Sequence, residues 1–505
     1  MRKFIDNSSF LNRKPSITLK KFFSYSKPDY FPLRSSLQNF ILSNFLGVQD
    51  AEIIAIDSTI RNGEHVLCEK LLQDGLLYYY GEGPQYNDYP KFNYTGLLFH
   101  IDKNHSEETQ AAWGYSMPYE AKAIAFSKAI GESIERQASY YIPNNKTATF
   151  PSLHRGDASH LFEHIPKFTT AQKERNPLLV RSADDLKNLL GFKASSVTGG
   201  KTRFFPFEAF YWGYPAEPAQ KIFQHATTSG SGAGKTYEEA LLSSCCELIE
   251  RDLVMLYWLS GIQAPIIDNS TIPGDIGTYV KHCKDRYGFD IYFLNLSYDI
   301  AIQTIACVVI DPILHRVTMG AKTGFVMEKN LEGSLLEALA VITTTRLKDE
   351  VWEDEELKNV LEKPPFNSIV SRKARVNMYS NQYGVVLIKN TFLQGKVVSY
   401  AACSIQITGT PKKITDQLAH IITQFKKLVF DKGPGYHVYV KNFKSVWLKK
   451  LSFHATHVFV PSLMKLYLND GCATPLAERL VAFAKDHGKT ITSEADINPL
   501  PHFFP

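Results

Sequence analysis

Two short stretches of this chain carry the same acidic device. Glu132, Glu135 and Arg136 lie in GESIER, and Glu247, Glu250 and Arg251 lie in CELIER, 115 positions further on. In each, two acids three residues apart are followed directly by an arginine. On a helix that spacing puts both carboxylates on one face, where they repel by about 0.2–0.5 kcal/mol. A single copy reads as a solvated helix face with local Glu–Arg pairing. Two copies, each set among Ala, Ile, Cys and Leu, call for a cation. Carboxylates from two such helices suit a hard divalent ion such as magnesium.

Ahead of the second ridge stands SGSGAGKT, from Ser229 to Thr236. A Walker A loop needs Gly, four residues, then Gly-Lys-Ser/Thr. Counting back five from Gly234 reaches Ser229, and starting at Gly230 leaves the loop one residue short. The loop must wrap one phosphate with its backbone N–H groups, so the spacing argues against a true phosphate loop. What remains is a Gly-rich turn before a helix N-terminus, with free N–H groups and a positive dipole end suited to an anion. Lys235 adds a point cation there.

The elements that must position these residues follow from periodicity. Apolar residues at three- and four-residue steps predict helices over 119–141, 236–259, 330–349, 410–430 and 475–488, the last ending at a glycine, and a further one over 35–47. Strands are expected at 95–102, at 396–407, at 452–463 and as a pair joined by a polar turn within 287–312. The tyrosine-, Gly- and Pro-containing stretch 76–93 reads as loop. This alternation predicts an α/β (α+β) fold of mixed β-sheets flanked by helices, with residues 1–94 as a separate N-terminal region suited to partner docking and 95–505 as the catalytic domain.

Composition narrows the function. The 505 residues are 44% apolar and 21% charged with a net charge of +5, an ordinary globular balance that does not argue for nucleic-acid binding but tolerates a polyanion such as ATP. Seven cysteines include no CxxC pair, so a thiolate zinc site is not expected, and adjacent Cys245 and Cys246 read as free thiols filling core space. The basic N-terminus has no apolar leader core, and no window of about 18 apolar residues occurs. A soluble cytoplasmic protein, without a membrane span, is expected.

With these residues in view, TTSGSGAGKTYEEALLSSCCELIERD (227–252) and GYSMPYEAKAIAFSKAIGESIER (114–136) resemble the paired helices of the YcaO family, whose members use ATP and magnesium to activate peptide backbone amides. YGFDIYFLNLSYDIAIQTIACVVID (287–311) and SFHATHVFVPSL (452–463) resemble later strands of that family, so the likeness covers about four fifths of the chain. The resemblance implies magnesium ligands at Glu132, Glu135, Glu247 and Glu250. It implies nucleotide contacts at the same acids and at Lys128, Lys235, Glu239, Arg251 and Arg346, with Arg251 also in a catalytic role. Lys128 stands where the family usually has Ser, and Lys235 where it usually has Asn. A third family helix normally carries an acid and a Gln before an Arg. Here LLEALAVITTTR (335–346) keeps Arg346, places Val341 and Thr344 at the acid and Gln positions, and offers Glu337 one turn earlier, leaving open whether Glu337 substitutes.

INPLPHFFP (497–505) resembles the Pro-rich ending of azoline-forming members, whose tail reaches the active site; the carboxylate of Pro505 is then a candidate general base. The plainer reading is a strap packed on the surface. The implied reaction is ATP-dependent cyclodehydration of Cys, Ser or Thr in a precursor peptide to thiazoline or oxazoline, as in bacteriocin biosynthesis. The competing expectations are thioamide or amidine formation, or a non-catalytic nucleotide-binding scaffold. The implied partners are the precursor peptide, a leader-peptide-binding protein of the same synthetase complex, a flavin dehydrogenase that oxidises the rings, and a homodimeric or hetero-oligomeric assembly.

Overall fold

The computed structural model describes residues 77–82, 88–100, 109–140, 155–187, 189–212, 221–224, 226–345, 375, 378–403, 411–467 and 473–504. The helix expected at 35–47 lies outside the described residues. The chain divides into two compact units, one formed by residues 1–137, 285–287 and 339–350, the other by 138–284, 288–338 and 351–505.

The first unit holds an antiparallel sheet of β1 (Leu77–Glu82), β2 (Asn93–His100) and β3 (Thr109–Ser116), in that order. The helix α1 (Lys122–Ser139) begins in this unit. β1 replaces the loop expected at 76–93: the run LYYYGE has enough aromatic strand preference to pair with β2 before Gly and Pro break the chain. Tyr94 packs at a tilt across the sheet on Trp113 and Tyr115, with ring centroids 5.2 Å apart in both pairs. α1 buries Ala125, Phe126, Ala129, Ile130 and Ile134 along one stripe. It lies so close to β3 that a Cβ on Gly114 would collide with the backbone of Ala125 and Ala129.

The second unit contains two five-stranded sheets. One comprises β4 (Gly191–Ser196), β5 (Arg203–Pro206), β6 (Ser231–Gly234), β12 (Tyr439–Phe443) and β13 (His454–Phe459), hydrogen-bonded in the order β5-β4-β12-β13-β6 and antiparallel throughout. The other comprises β7 (Ile266–Ile267), β8 (Asp290–Asn295), β9 (Gln303–Asp311), β10 (Arg316–Gly324) and β11 (Val397–Val398), in the order β10-β9-β8-β7-β11, with only the β7–β11 pair parallel. Helices flank them: α2 (Tyr237–Ser260), the first part of α3 (Met327–Thr345), up to Ala338, α4 (Ile414–Lys432) and α5 (Glu478–Asp486). The mixed α+β architecture is thus as the sequence predicts. Of the strand expected at 396–407, Val397–Val398 form β11, Ser399 accepts the N–H of Ala402 and starts a short helix, Tyr400–Cys403, and 404–407 lie outside the described residues. Among the described residues no helix is long and apolar enough to cross a membrane.

α2 is the spine of this unit. Its last two turns, Leu253 to Leu259, are buried on every side, and Gly261 ends it in the left-handed region at φ 66°. One large core joins α2 to β8–β10, α4, α5 and the chain end, where Phe503 packs edge-on against Trp258 at 5.5 Å and Phe392 at 5.7 Å. Cys245 fills core space as a buried free thiol, as expected, and its neighbour Cys246 is half-buried.

The tail 497–504 is not a surface strap. Phe503 and Phe504 are 1% and 0% exposed. Prolines deprive the segment of donors, and its carbonyls are met instead by side chains: Trp258 Nε1 donates to Leu500 O (2.8 Å), Tyr379 OH to Pro501 O (2.6 Å) and Arg375 Nη1 to His502 O (3.4 Å).

A buried ionic network fixes α2 against α4 and α5. Arg479 is 2% exposed and donates from Nε and Nη2 to Asp252, which is wholly buried, and from Nη1 and Nη2 to Asp299. Lys432 Nζ completes the set on Asp299 at 2.7 Å, and Met464 N donates to Asp252 at 2.7 Å. Removing one partner strands a buried charge. Arg479→Ala should therefore cost about 3–5 kcal/mol in urea unfolding, and a loss below about 1 kcal/mol would show the network to be dispensable.

His457 on β13 is 1% exposed, and its Nδ1 lies 3.0 Å from Ser231 Oγ. Burial, helped by the charge of Lys465, lowers its pKa from 6.5 to about 3. A depressed folded-state value means that the unfolded chain takes the proton first. The stability contributed is complete above about pH 6.5 and is lost as pH falls toward 3, at about 1.4 kcal/mol per pH unit. His457→Gln should flatten this acid limb in urea titrations between pH 6.5 and 4; parallel wild-type and variant curves would exclude the buried neutral histidine.

Candidate functional site

The Gly-rich stretch is built differently from a phosphate loop. Ser231–Gly234 is a strand whose ladder to β13 pairs Ser231 with His457 and Gly234 with His454. Much of its hydrogen-bonding capacity is thus spent inside the sheet. Gly230 sits at φ 94°, where a side chain would be strained, and a Cβ there would stand 2.6 Å from Val458 O. That turn aims the N–H of Gly230 at Glu247 Oε2, 3.1 Å away.

The start of α2 is capped within itself. Thr236 accepts the N–H of Glu239 at 3.1 Å, and the Glu239 carboxylate accepts those of Lys235 and Thr236 at 2.7 and 3.3 Å. Glu239, read from the sequence as a nucleotide contact, therefore has a structural duty in the helix cap. Lys235 is exposed beside it.

Around Arg251 the second ridge comes together. Its Nη2 lies 3.5 Å from Glu247 Oε1, its Nε 3.5 Å from Glu250 Oε1, and its Nη2 3.9 Å from Glu337 Oε1 on α3. Glu337 Oε2 accepts the N–H of Ala321 on β10 at 3.0 Å. The opposite side of the guanidinium is covered by the ring of Phe504, 4.3 Å from its centre, so the chain end is seated at the acids. Side-chain exposure rises from 5% at Glu250 to 21% at Glu247 and 29% at Glu337, which describes a cleft with one deep and two accessible carboxylates.

Electrostatics show what this cleft lacks. Three carboxylates face Arg251 and the through-space charge of Lys322. Burial raises the Glu250 carboxyl to about 8; Glu337 and Glu247 push the same way, and Arg251 and Lys322 pull back. Glu247 is raised too, by burial first and by Glu337, against Arg251, the Gly230 N–H and Lys322. Lys322 is an exposed residue of β10; desolvation of its ammonium pulls downward, but Glu250, Glu337 and Glu247 outweigh it and hold it above its usual value. The cluster is short of positive charge, and its donors are hard oxygens, the combination a magnesium ion satisfies. Among the described residues no three His, Cys, Asp or Glu side chains form a ready-made metal cage.

In the first unit the other ridge is anchored in the same manner. Glu132 Oε2 accepts the N–H of Trp113 on β3 at 2.5 Å, and Oε1 pairs with Arg136 Nη2 at 2.5 Å. Arg136 Nη1 donates to Ala111 O at 2.7 Å. Glu135 is half-buried, and Lys128 is exposed with its Nζ donating to Tyr115 O at 2.9 Å. Arg346 and Pro505 lie outside the described residues. The residues that sequence reasoning missed are Lys322 and Phe504. Lys322 gave a signal only as a lone cation on an otherwise uncharged stretch of β10, and Phe504 was seen as part of the tail without a partner.

Comparisons with known proteins give the family and the fold. A family model described as YcaO cyclodehydratase, ATP- and Mg2+-binding, matches residues 120–464. A solved heterocyclase, in complex with substrate and cofactor, is similar at 16% identity with a TM-score of 0.60, over 90% of this chain and 60% of that one. A YcaO protein from Methanopyrus kandleri bound with AMPPCP and Mg2+ is similar at 13% identity and TM-score 0.56, over 85% and 98%. A chain of the E. coli microcin synthetase McbBCD complex is similar at 14% and 0.52, over 84% and 96%. An uncharacterized protein of Methanothermobacter thermautotrophicus is 26% identical over 204 residues, 39% of this chain and 49% of that protein. The chain thus spans about half the length of that curated relative and about 60% of the heterocyclase. At such identities the structural likeness establishes the fold.

The raised Glu250 value makes a testable demand on the metal-free protein. A carboxyl at 4.5 unfolded and about 8 folded costs stability as pH rises through that interval. Glu250→Gln should therefore stabilise the protein at pH 8 and give progressively less gain toward pH 5, read as urea midpoints. An equal gain at both pH values would sink the assignment of a buried, charge-starved acid.

Proposed function

This chain belongs to the YcaO family, whose model covers residues 120–464, and from that membership and the acid cleft we propose that it is an ATP- and magnesium-dependent peptide cyclodehydratase. In the proposed reaction the thiol or hydroxyl of a Cys, Ser or Thr in a precursor peptide attacks the preceding backbone carbonyl. The amide oxygen takes the γ-phosphoryl group of ATP, the second substrate, and departs as inorganic phosphate, leaving a thiazoline or oxazoline. An amide oxygen is a poor leaving group, so its activation is what the site must achieve.

Bound magnesium would supply positive charge against the phosphate oxygens. The chain's own residues have separable duties. Glu247 and Glu250 offer carboxylate oxygens to the ion, and Arg251 holds both acids in place with a cation available to phosphate. Lys235 presents a charge at the N-terminus of α2, where the helix dipole also favours phosphate. Glu132 and Glu135 are proposed as further magnesium and nucleotide ligands, with Lys128 and Arg346 as phosphate contacts, and Glu239 keeps its place near the nucleotide while capping the helix. The carboxylate of Pro505, which follows the residue seated on Arg251, is proposed as the general base.

The same reading extends to partners. A second structure of the microcin synthetase McbBCD complex has pro-MccB17 bound. By analogy this chain is proposed to act on a ribosomal precursor peptide, with a leader-binding protein, and a flavin dehydrogenase where the rings are oxidised.

The observation that carries the proposal is the meeting of Glu247, Glu250 and Glu337 on Arg251 beside the Gly230 turn. Glu247→Gln keeps an acceptor for the Gly230 N–H but removes the charge. It should abolish ATP turnover while leaving the melting temperature within a few degrees of wild type. With a precursor peptide supplied, the wild-type product should lose about 18 Da per ring, the mass of one water expelled in the condensation. Normal turnover in the variant, or a gain of about 16 Da per site as in thioamide formation, would refute the reading.

A further inference from the structure

The second unit has a small cleft lined by none of the acid-site residues. β13 ends at Phe459, and the chain continues through Pro461 and Leu463 to Lys465. Ile165 and Pro166, just past the helix Arg155–His164, come up beside this turn, where Lys167 and Leu476 exchange backbone hydrogen bonds. Ile165, Phe223, Phe459, Pro461 and Leu463 form apolar walls, and Lys465 lines the cleft with them. Its open space, mouth included, is about 260 Å³. That is below the range of about 300–1,000 Å³ usual for drug-sized ligands, so only a short molecule would fit.

Lys465 is half-buried, and its Nζ stands over the Phe459 ring, 4.1 Å from the centroid. Among the described residues no carboxylate pairs with it and its ammonium donates no hydrogen bond. Desolvation holds the ammonium well below the usual lysine value, with no acid pulling the other way. Other enclosed cations of this unit are provided for. Arg479 has Asp252 and Asp299, and Lys167, beside the same cleft, donates to the carbonyls of Phe162 and Ile165. His457 cannot serve Lys465, because it is itself a base, and the lysine charge helps to lower its value. An enclosed amine without a counter-ion, open to a cleft, is the complement of an anion. We propose that this cleft binds a short monocarboxylate, with the carboxylate on Lys465 Nζ and the hydrocarbon body against Ile165, Phe223 and Leu463. Phosphate suits it less, since a doubly charged anion needs several donors. Here Pro166 and Pro461 have no N–H, and Thr474 adds a single hydroxyl. The apolar walls instead reward each methylene taken out of water.

The test titrates butyrate into the full chain, without ATP, by isothermal calorimetry. Binding should saturate at millimolar concentration and be about threefold or more tighter than for acetate. Butylamine, with the same body and the opposite charge, should not bind. Lys465→Met keeps an unbranched side chain and removes the charge. The butyrate concentration for half-saturation should then rise about tenfold or more, with the melting temperature unchanged or higher as an unpaired charge leaves the cleft. Wild-type affinity in that variant, or phosphate binding as tightly as butyrate, would overturn the proposal. Should Lys465→Met fold poorly, the wild-type protein carries the test. Butyrate at twice its half-saturating concentration should slow acylation of Lys465 by an activated ester about threefold, read by peptide mapping, and leave the exposed Lys426 unaffected. Equal labelling of Lys465 with and without butyrate would refute the site.

Discussion

Arg251 is the point on which the second unit is organised. Its guanidinium lies 3.5, 3.5 and 3.9 Å from the carboxylates of Glu247, Glu250 and Glu337, and the charge of Lys322 acts on the same three acids. Such a group of acids is unfavourable in a protein interior unless something else arrives. The surrounding structure can be understood as what holds this arrangement in place. The Gly230 turn and β10 each donate a backbone N–H to keep an acid oriented. Phe504 covers the guanidinium, and the adjacent Asp252 is locked by Arg479.

The contrast between neighbours on α2 shows how the same chemistry is used in opposite ways. Asp252 and Arg479 form a saturated pair: short contacts, both groups buried, a second carboxylate from Asp299 and a further cation from Lys432. That network has nothing left to bind and serves to position the helix. One residue earlier, Arg251 meets three acids at longer range, 3.5 to 3.9 Å. The two arrangements are one residue apart because successive helix residues point about 100° apart.

Much of this was legible in the chain because it depends on local spacing. The repeated acids at i and i+3, the glycines before the helix, and the helix periods all survive in the structure as α1, α2 and α3. The 76–93 segment shows where local reading fails. Three consecutive tyrosines pair into β1, and their strand preference is realised only through β2, a partner that turn composition does not reveal. The reverse happened within 396–403, where Val397 and Val398 kept strand character and Ser399 turned the chain into a helix. Lys322 and Phe504 were invisible as site residues because they reach the acids through tertiary packing, from a strand and from the chain end, rather than through any spacing along α2.

The glycine stretch explains why a phosphate-loop reading was attractive and why the fold does not use one. A phosphate loop spends its N–H groups on the ligand. Here β6 gives its backbone to β13, and the N–H of Gly230 goes to a glutamate instead of a phosphate. Glycine is needed for a different reason: Gly232 allows α2 to approach until helix backbone at Ala240 and Ser244 lies 2.6 Å from where a Cβ would be. The same close approach recurs at Gly114 and Gly320, so glycine sets the distance at which a helix glutamate can reach a strand N–H. On β10 the neighbouring N–H of Ala321 is the one that Glu337 Oε2 accepts, so the close helix again brings a carboxylate to strand backbone.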